Sequence, residues 1–272
     1  MDDYEKTPAE NEEQQEKKNG AAKKLLLFIV VFVLVFCAVY FGLQAYLNRQ
    51  IEPPSTTVAT TTALPTTQGD VTVPNPIDFK TLQAGNDEIY AYIIIEDTNV
   101  DYPIVQSAVD DEFYLHHSAE DKSYLARGAI YTQSCNHKNF ADPFTLIYGH
   151  NNYGDTMFTT LHYFEDEDFF NNHPYFYIYT PDRRLTYQVI SAFKYDDRHI
   201  MNSFGNFQDF TMVDEFQKVV TNPDSSVKNV RTELDTAIDR KSKIVILSTC
   251  ITNQTSSRYL VCGVLTKDEK TD

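Results

Sequence analysis

The chain opens with three stretches that differ in the pattern of their apolar positions. Residues 1–24 are polar and rich in Glu, Gln and Lys with no periodic apolar face, which predicts a disordered tail. Residues 25–47 carry no charged side chain, and at ~1.5 Å per residue such a helix crosses a hydrocarbon layer of ~30 Å. Residues 48–76 are rich in Thr and Pro and lack an apolar pattern, which is typical of an extended stalk.

The charges around the apolar stretch predict its orientation. Four lysines lie between positions 17 and 24, whereas only Arg49 follows closely behind. The positive-inside rule therefore places the tail in the cytoplasm and everything after the span outside the cell. A cleaved signal peptide is the alternative, but its apolar region is expected to be only ~7 to 15 residues long, and no clear A-x-A-like site follows. We predict a retained single-pass membrane anchor.

From residue 77 to residue 272 the pattern becomes that of one folded domain. Residues 77–92 predict one or two short helices, and apolar positions at helical spacing predict an amphipathic helix from about 209 to 221. Runs of β-branched and aromatic residues predict strands at 91–106, 128–133, 144–150, 176–196, 243–250 and 258–265, with a hairpin turn at Pro181-Asp182. Because these strands recur without regular helices between them, we expect a mainly antiparallel barrel or sandwich.

The charge balance argues against one class of partner. The chain has 39 acidic and 23 basic side chains and a formal net charge of -16, with no dense Lys/Arg cluster. Such a surface repels a phosphate backbone, so we predict no nucleic-acid partner.

Cysteine is scarce, with four residues in the chain: Cys37, Cys135, Cys250 and Cys262. Four are too few for a scaffold held together by disulfides, so one of them is a candidate for chemistry. Cys37 lies in the apolar stretch and is expected to pack there. A pairing of Cys135 with Cys262 stays open, because the sequence does not give the separation of their Cα atoms. Cys135 and His137 lack the further ligands of a closed zinc site, so we predict neither a metal nor a cofactor.

Three residues suited to thiol chemistry stand at predicted strand ends. Cys250 ends the run 243–250 before a polar loop, His150 ends the run 144–150 in the same way, and Arg258 begins the next strand. Thiol attack on a carbonyl needs a thiolate and then an acid for the leaving amine, and an imidazole serves both needs. A guanidinium can stabilise an oxyanion. Each of the three residues also has an alternative interpretation when it is considered alone. Cys250 is then a packed core cysteine, His150 a hydrogen-bonded histidine and Arg258 an ion-paired arginine.

The order and surroundings of these residues resemble the sortase family. The nucleophile strand of that family reads T-L-x-T-C, and residues 246–250 read I-L-S-T-C, so that Ile246 replaces the first Thr. The His of the family stands in a Y-G-H motif, as at 148–150 here, and an Arg follows on the strand after the Cys. The phrase DYPIVQ at 101–106 and the helix before the Cys strand look most like class B sortases. The resemblance spans roughly residues 77–266.

The resemblance implies a mainly β fold, a closed eight-stranded barrel with N-terminal helices and an inserted helix before the Cys strand. It also implies a transpeptidase that cleaves a Pro-x-Thr type sorting signal of secreted proteins after Thr and joins the Thr carbonyl to a peptidoglycan amine. Cys250 would be the nucleophile, His150 the acid/base and Arg258 the electrostatic partner. The expected substrate contacts are Ser248, Thr249 and Asn151.

Two other functions stay open at this point. One is a pilus-polymerising sortase, whose acceptor is a Lys of another pilin. The other is an exported binding or adhesion domain on a Thr/Pro stalk, in which Cys250 is merely buried. For the transpeptidase that joins proteins to peptidoglycan, we expect a location in the cell membrane of a Gram-positive bacterium with the catalytic domain outside the cell.

Overall fold

A computed structural model of the chain describes residues 72–152 and 154–272. The predicted tail, the apolar stretch and most of the predicted stalk lie outside the described residues. Among the residues that are described, no helix is long and apolar enough to cross a membrane.

Within the described ranges the chain forms short helices and long strands. The α-helices are α1 (Phe79–Gly85), α2 (Glu167–Asn172), α3 (Ile200–Ser203) and α4 (Phe210–Thr221), and the 3-10 helices are Phe113–Leu115, Thr159–Glu165 and Gly205–Phe207. The strands are β1 (Ile89–Ile94), β2 (Asp101–Val105), β3 (Ile130–Tyr131), β4 (Phe144–Tyr148), β5 (Tyr175–Thr180), β6 (Arg183–Asp196), β7 (Lys228–Val230), β8 (Ile244–Ile251) and β9 (Gln254–Lys270).

The strands close into a barrel. Their order is β5-β1-β2-β3-β4-β8-β9-β6, and β6 pairs back with β5, which makes a ring of eight strands. The short β7 pairs with β6 where β5 has ended. Closure leaves few unpaired strand edges. The prediction of a mainly antiparallel β-barrel is therefore confirmed, but two pairs, β2 with β3 and β4 with β8, run parallel.

The wall that carries β4, β8 and β9 is buried on both faces. Side chains of β8 alternate between the barrel interior, with Val245 and Leu247, and an outer apolar layer, with Ile244 and Ile246. Helix α4 covers that outer layer, and its fully buried Phe216 packs against the ring of Phe144 on β4. Burial on both faces explains why these strands read as continuous apolar runs.

The structure corrects the reading of residues 77–92. One helix, α1, forms there, with the Asp78 side chain accepting a hydrogen bond from the Thr81 N–H at its N-cap. It ends before Asn86, whose side chain donates to Tyr114 Oη and to the Ala119 carbonyl. Ile89 and Tyr90, which were assigned to helix, begin β1 instead. A short apolar run of this length fits the period of a helix as well as that of a strand. Pairing with β2 and β5 makes this segment a strand.

Candidate active site

Three neighbouring strands bring His150, Cys250 and Arg258 to one end of the barrel. Strands β4 and β8 run parallel with Tyr148 opposite Ser248, so His150 and Cys250 follow at the same edge. Strand β9 returns antiparallel and places Arg258 directly opposite Cys250. All three residues line one cavity of about 260 Å³. The structure thus brings the predicted catalytic residue His150 together with Cys250 and Arg258, which follow it by about a hundred positions in the chain.

Cys250 is exposed and its thiol is free. Cys262, by contrast, is fully buried, and burial raises the pKa of its thiol, which makes it inert. Cys135 is half-buried and also free, so the open question of a bond between Cys135 and Cys262 is answered in the negative. The reading of a packed core cysteine therefore fits Cys262 and does not fit Cys250.

A main-chain carbonyl and a neighbouring ring hold the His150 side chain in place. Its Nε2 lies 2.8 Å from the Leu115 carbonyl oxygen, and its ring stacks on that of His116 at 5.9 Å between centroids. Because a carbonyl only accepts, Nε2 carries the hydrogen, and a neutral ring then has its lone pair on Nδ1. Partial burial holds the pKa of His150 below its ordinary value, and His116 adds to this, while the contact with Leu115 opposes it. The neutral imidazole is thereby favoured.

Arg258 is half-buried beside the thiol. Its Nη1 donates to the carbonyl oxygens of Ser257 at 3.0 Å and Thr255 at 3.3 Å, which orients the guanidinium. No carboxylate in the described part of the chain forms an ion pair with it. The alternative of an ion-paired surface arginine therefore does not apply, and the charge is available to the cavity.

The three predicted substrate contacts are placed differently from one another. Ser248 lies on the same outer face of β8 as Cys250 and lines the cavity. Thr249 is only 2% exposed and lies on the alternate face, towards the barrel interior, where its hydroxyl has no hydrogen-bond partner among the described residues. A substrate contact from Thr249 would therefore come from its main chain. Asn151 lines a second cavity on the other side of Cys250, together with Asp155.

Sequence reasoning missed one residue at the site. His162 is not among the candidate residues that the sequence predicts, but its Nε2 lies 3.0 Å from the Cys250 carbonyl oxygen. The Asn151 amide donates to the same oxygen, also at 3.0 Å. The one local signal was Glu165 three positions after His162, which is the spacing of a side-chain pair on a helix.

Comparison with known proteins agrees with this geometry. A family model described as "Sortase domain" matches residues 93–266, which is more than half of the chain. The chain belongs to the sortase family. Sortase B of Listeria monocytogenes is 28% identical over 236 residues, which cover 83% of this chain and 88% of that protein.

Two solved structures are also similar. The X-ray structure of Clostridium perfringens sortase B has a TM-score of 0.61 and 28% identity, and the match covers 69% of this chain and 99% of that one. A Streptococcus pyogenes class B sortase involved in pilus biogenesis has a TM-score of 0.57 and 28% identity, covering 70% of this chain and 98% of that one. These similarities make the chain a class B sortase, which confirms the resemblance read from the sequence.

Proposed function

We propose that the chain is a cysteine transpeptidase in which Cys250 is the nucleophile, His150 the acid/base and Arg258 the oxyanion partner. The observation that carries the proposal is the single cavity lined by all three residues, with an exposed free thiol at its edge. A rigid strand end holds each side chain, as a site with a defined geometry requires.

The reaction we propose has two acyl transfers. Neutral His150 takes the proton of the Cys250 thiol, and the thiolate so formed adds to the carbonyl carbon of Thr in a sorting signal. The Arg258 guanidinium stabilises the negative oxygen that forms. The C–N bond then breaks, the leaving amine takes a proton from protonated His150, and a thioacyl enzyme remains. An acceptor amine adds to that thioester, loses its proton to neutral His150, and expels the thiolate. The peptide bond lost is thereby replaced by a new one.

For the two substrates we propose a secreted protein with a C-terminal Pro-x-Thr type signal and an amine of peptidoglycan. The predicted anchor at residues 25–47 would hold the catalytic domain outside the cell, where both are found. The sequence pattern of the span and of the stalk supports this arrangement.

A second acceptor has its own support. The similar Streptococcus pyogenes protein is a class B sortase involved in pilus biogenesis. In that alternative the amine is a Lys side chain of another protein subunit, and the steps at Cys250 are unchanged.

The test uses the full-length chain and a library of quenched fluorescent Pro-x-Thr peptides. We expect cleavage after Thr that falls to background in Cys250→Ala and His150→Ala and falls strongly in Arg258→Ala. Cys135→Ser, which replaces a free cysteine that does not line the cavity, is the matched control and should cleave like the parent. Cleavage retained by Cys250→Ala refutes the mechanism.

Acceptors are then compared on the same enzyme. A peptidoglycan cross-bridge peptide and a folded Lys-bearing protein are each offered with the best signal peptide, and the ligated products are weighed by mass spectrometry. Ligation to the cross-bridge supports the wall-anchoring function, and ligation to the Lys alone supports the pilus alternative. No cleavage by any enzyme form, together with a Cys250 inert to alkylation, would favour the binding-domain reading.

A further inference from the structure

The carbonyl oxygen of the nucleophile itself stands at a break in the sheet. On β8, the Ser248 carbonyl accepts from the Gly149 N–H at 3.1 Å, which continues the ladder with β4. Two residues on, the Cys250 carbonyl points to the same side of the strand, but β4 has ended at Tyr148. The pairing with β9 also shifts register between Cys250 and Ile251. The ladder with β4 therefore ends before the Cys250 carbonyl, although β9 still pairs with β8 on the other side.

Two side chains take the place of the missing strand. Asn151 Nδ2 and His162 Nε2 both lie 3.0 Å from the Cys250 carbonyl oxygen, and 3.3 Å from each other. Asn151 Nδ2 also lies 3.1 Å from Thr252 Oγ1, in the loop that leads to β9. A carbonyl oxygen has two lone pairs, so it can accept from both donors at once.

His162 is itself fixed by two further contacts. Its Nδ1 lies 2.6 Å from Glu165 Oε1, and its ring stacks on Tyr259 at 4.9 Å between centroids. The carbonyl of Cys250 and the carboxylate both only accept, so the ring satisfies both partners when both of its nitrogens carry hydrogens. The 3-10 helix Thr159–Glu165 supplies both His162 and Glu165. The donor that faces Cys250 is therefore set in place before any substrate arrives.

We propose that His162, oriented by Glu165, acts with Asn151 as a positioning residue that holds the main chain of the nucleophile. The peptide unit after Cys250 is planar, so fixing its carbonyl oxygen fixes the whole unit at the strand end. The same two hydrogen bonds then hold the main chain from which the thiol extends, beside the cavity that Cys250 shares with His150 and Arg258. Neither side chain exchanges a proton with substrate. The inference rests on the proposed function in taking Cys250 as the nucleophile.

The test compares variants of the full-length chain. His162→Ala removes the donor, whereas His162→Gln keeps an N–H donor at the end of its side chain. His173→Ala is the matched control, because His173 also contacts a carboxylate, Asp97 at 2.9 Å, and stacks on an aromatic ring, Phe169 at 3.8 Å. His173 does not contact Cys250.

Three quantities are measured for each variant: kcat and KM for the best Pro-x-Thr peptide, the rate of Cys250 alkylation by iodoacetamide without peptide, and the thermal midpoint. We expect His162→Ala to lower kcat by about 10- to 100-fold with little change in KM, since misplacing a reacting group costs up to that factor. Its alkylation rate should fall as well. His162→Gln should recover most of both rates, and His173→Ala should show parental rates whatever its thermal midpoint.

The inference is overturned if His162→Ala and His173→Ala have equal kcat and equal alkylation rates, or if His162→Gln is as slow as His162→Ala. Should His162→Ala fail to fold, Asn151→Ala removes the second donor and is expected to lower the same two rates, while parental rates would refute the idea. If the parent enzyme cleaves no peptide, the proposed function fails, and the alkylation rates alone decide the inference.

Discussion

Gly149 is a position where one added methyl group should lower both the folding stability and the rate of catalysis. It lies between the end of β4 and His150. A Cβ at this position would stand 2.5 Å from Ile130 Cδ1 and 2.6 Å from Phe158 Cγ. Ordinary contacts between carbon atoms are about 3.5–4.0 Å, so the overlap is about 1 Å. Ile130 and Phe158 are buried, at 1% and 0% exposure, and neither side chain has room to withdraw.

Gly149→Ala should therefore cost about 1–3 kcal/mol of folding free energy, as overpacked cores do. The main-chain shift that relieves the overlap also moves His150, which is the next residue. A shift of about 1 Å in a catalytic group lowers a rate by up to about 100-fold. The folded fraction of Gly149→Ala should thus cleave peptide markedly more slowly than the parent.

Gly263→Ala is the matched control for this prediction. Its added Cβ would stand 2.8 Å from Phe176 Cζ and 3.1 Å from Tyr187 Cβ, again against buried aromatic rings, but in the barrel wall away from the cavity. Urea unfolding gives the stability of both variants, and kcat per folded molecule gives their activity. We expect similar stability losses and a slow reaction in Gly149→Ala only. Equal kcat values for the two variants would refute the reasoning.

Two further predictions concern the acid limb of the pH profile and the outer apolar layer. Because His116 in its charged form lowers the pKa of His150, His116→Gln should raise that pKa and move the acid limb of kcat/KM to higher pH. The control His117→Gln, which replaces a ring stacked on Phe113, should leave the limb in place, and an unmoved limb in His116→Gln contradicts the prediction. Phe216→Ala should lower the free energy of unfolding by about 3–5 kcal/mol, because the ring is fully buried among other aromatic rings. Urea denaturation measures this loss, and a value below about 1 kcal/mol would show that α4 is not needed to seal the outer layer.

The sequence predicted the strands of the barrel wall well, because burial on both faces leaves long β-branched and aromatic runs. It also predicted Cys250, His150 and Arg258 as catalytic residues, because they stand where such runs meet polar loops, and the structure brings the three to one cavity. It could not show that β4 and β8 are parallel neighbours, since no local pattern records a pairing between segments a hundred residues apart. That pairing is what brings His150 and Cys250 together.

The alternation of side chains along β8 predicts where the Thr249 side chain points. Side chains of a strand alternate between its faces, so Thr249 had to point away from the face that carries Cys250. The contact of His162 with the Cys250 carbonyl had no such signal. It arises because the 3-10 helix that carries His162 lies beside β8 at the point where pairing with β4 has ended. Only the folded chain brings His162 and the Cys250 carbonyl together.

Strand β9 also sets how far the thiol stands from the point where the chain enters the barrel. Near its far end, the Val73 N–H donates to the Lys270 carbonyl, while Arg258 lies beside Cys250 near its start. Twelve residues of extended strand between Arg258 and Lys270 amount to about 40 Å of chain. If the segment before Val73 is tethered to a surface, the barrel works as a second spacer. Most of the length of β9 then lies between that segment and the thiol.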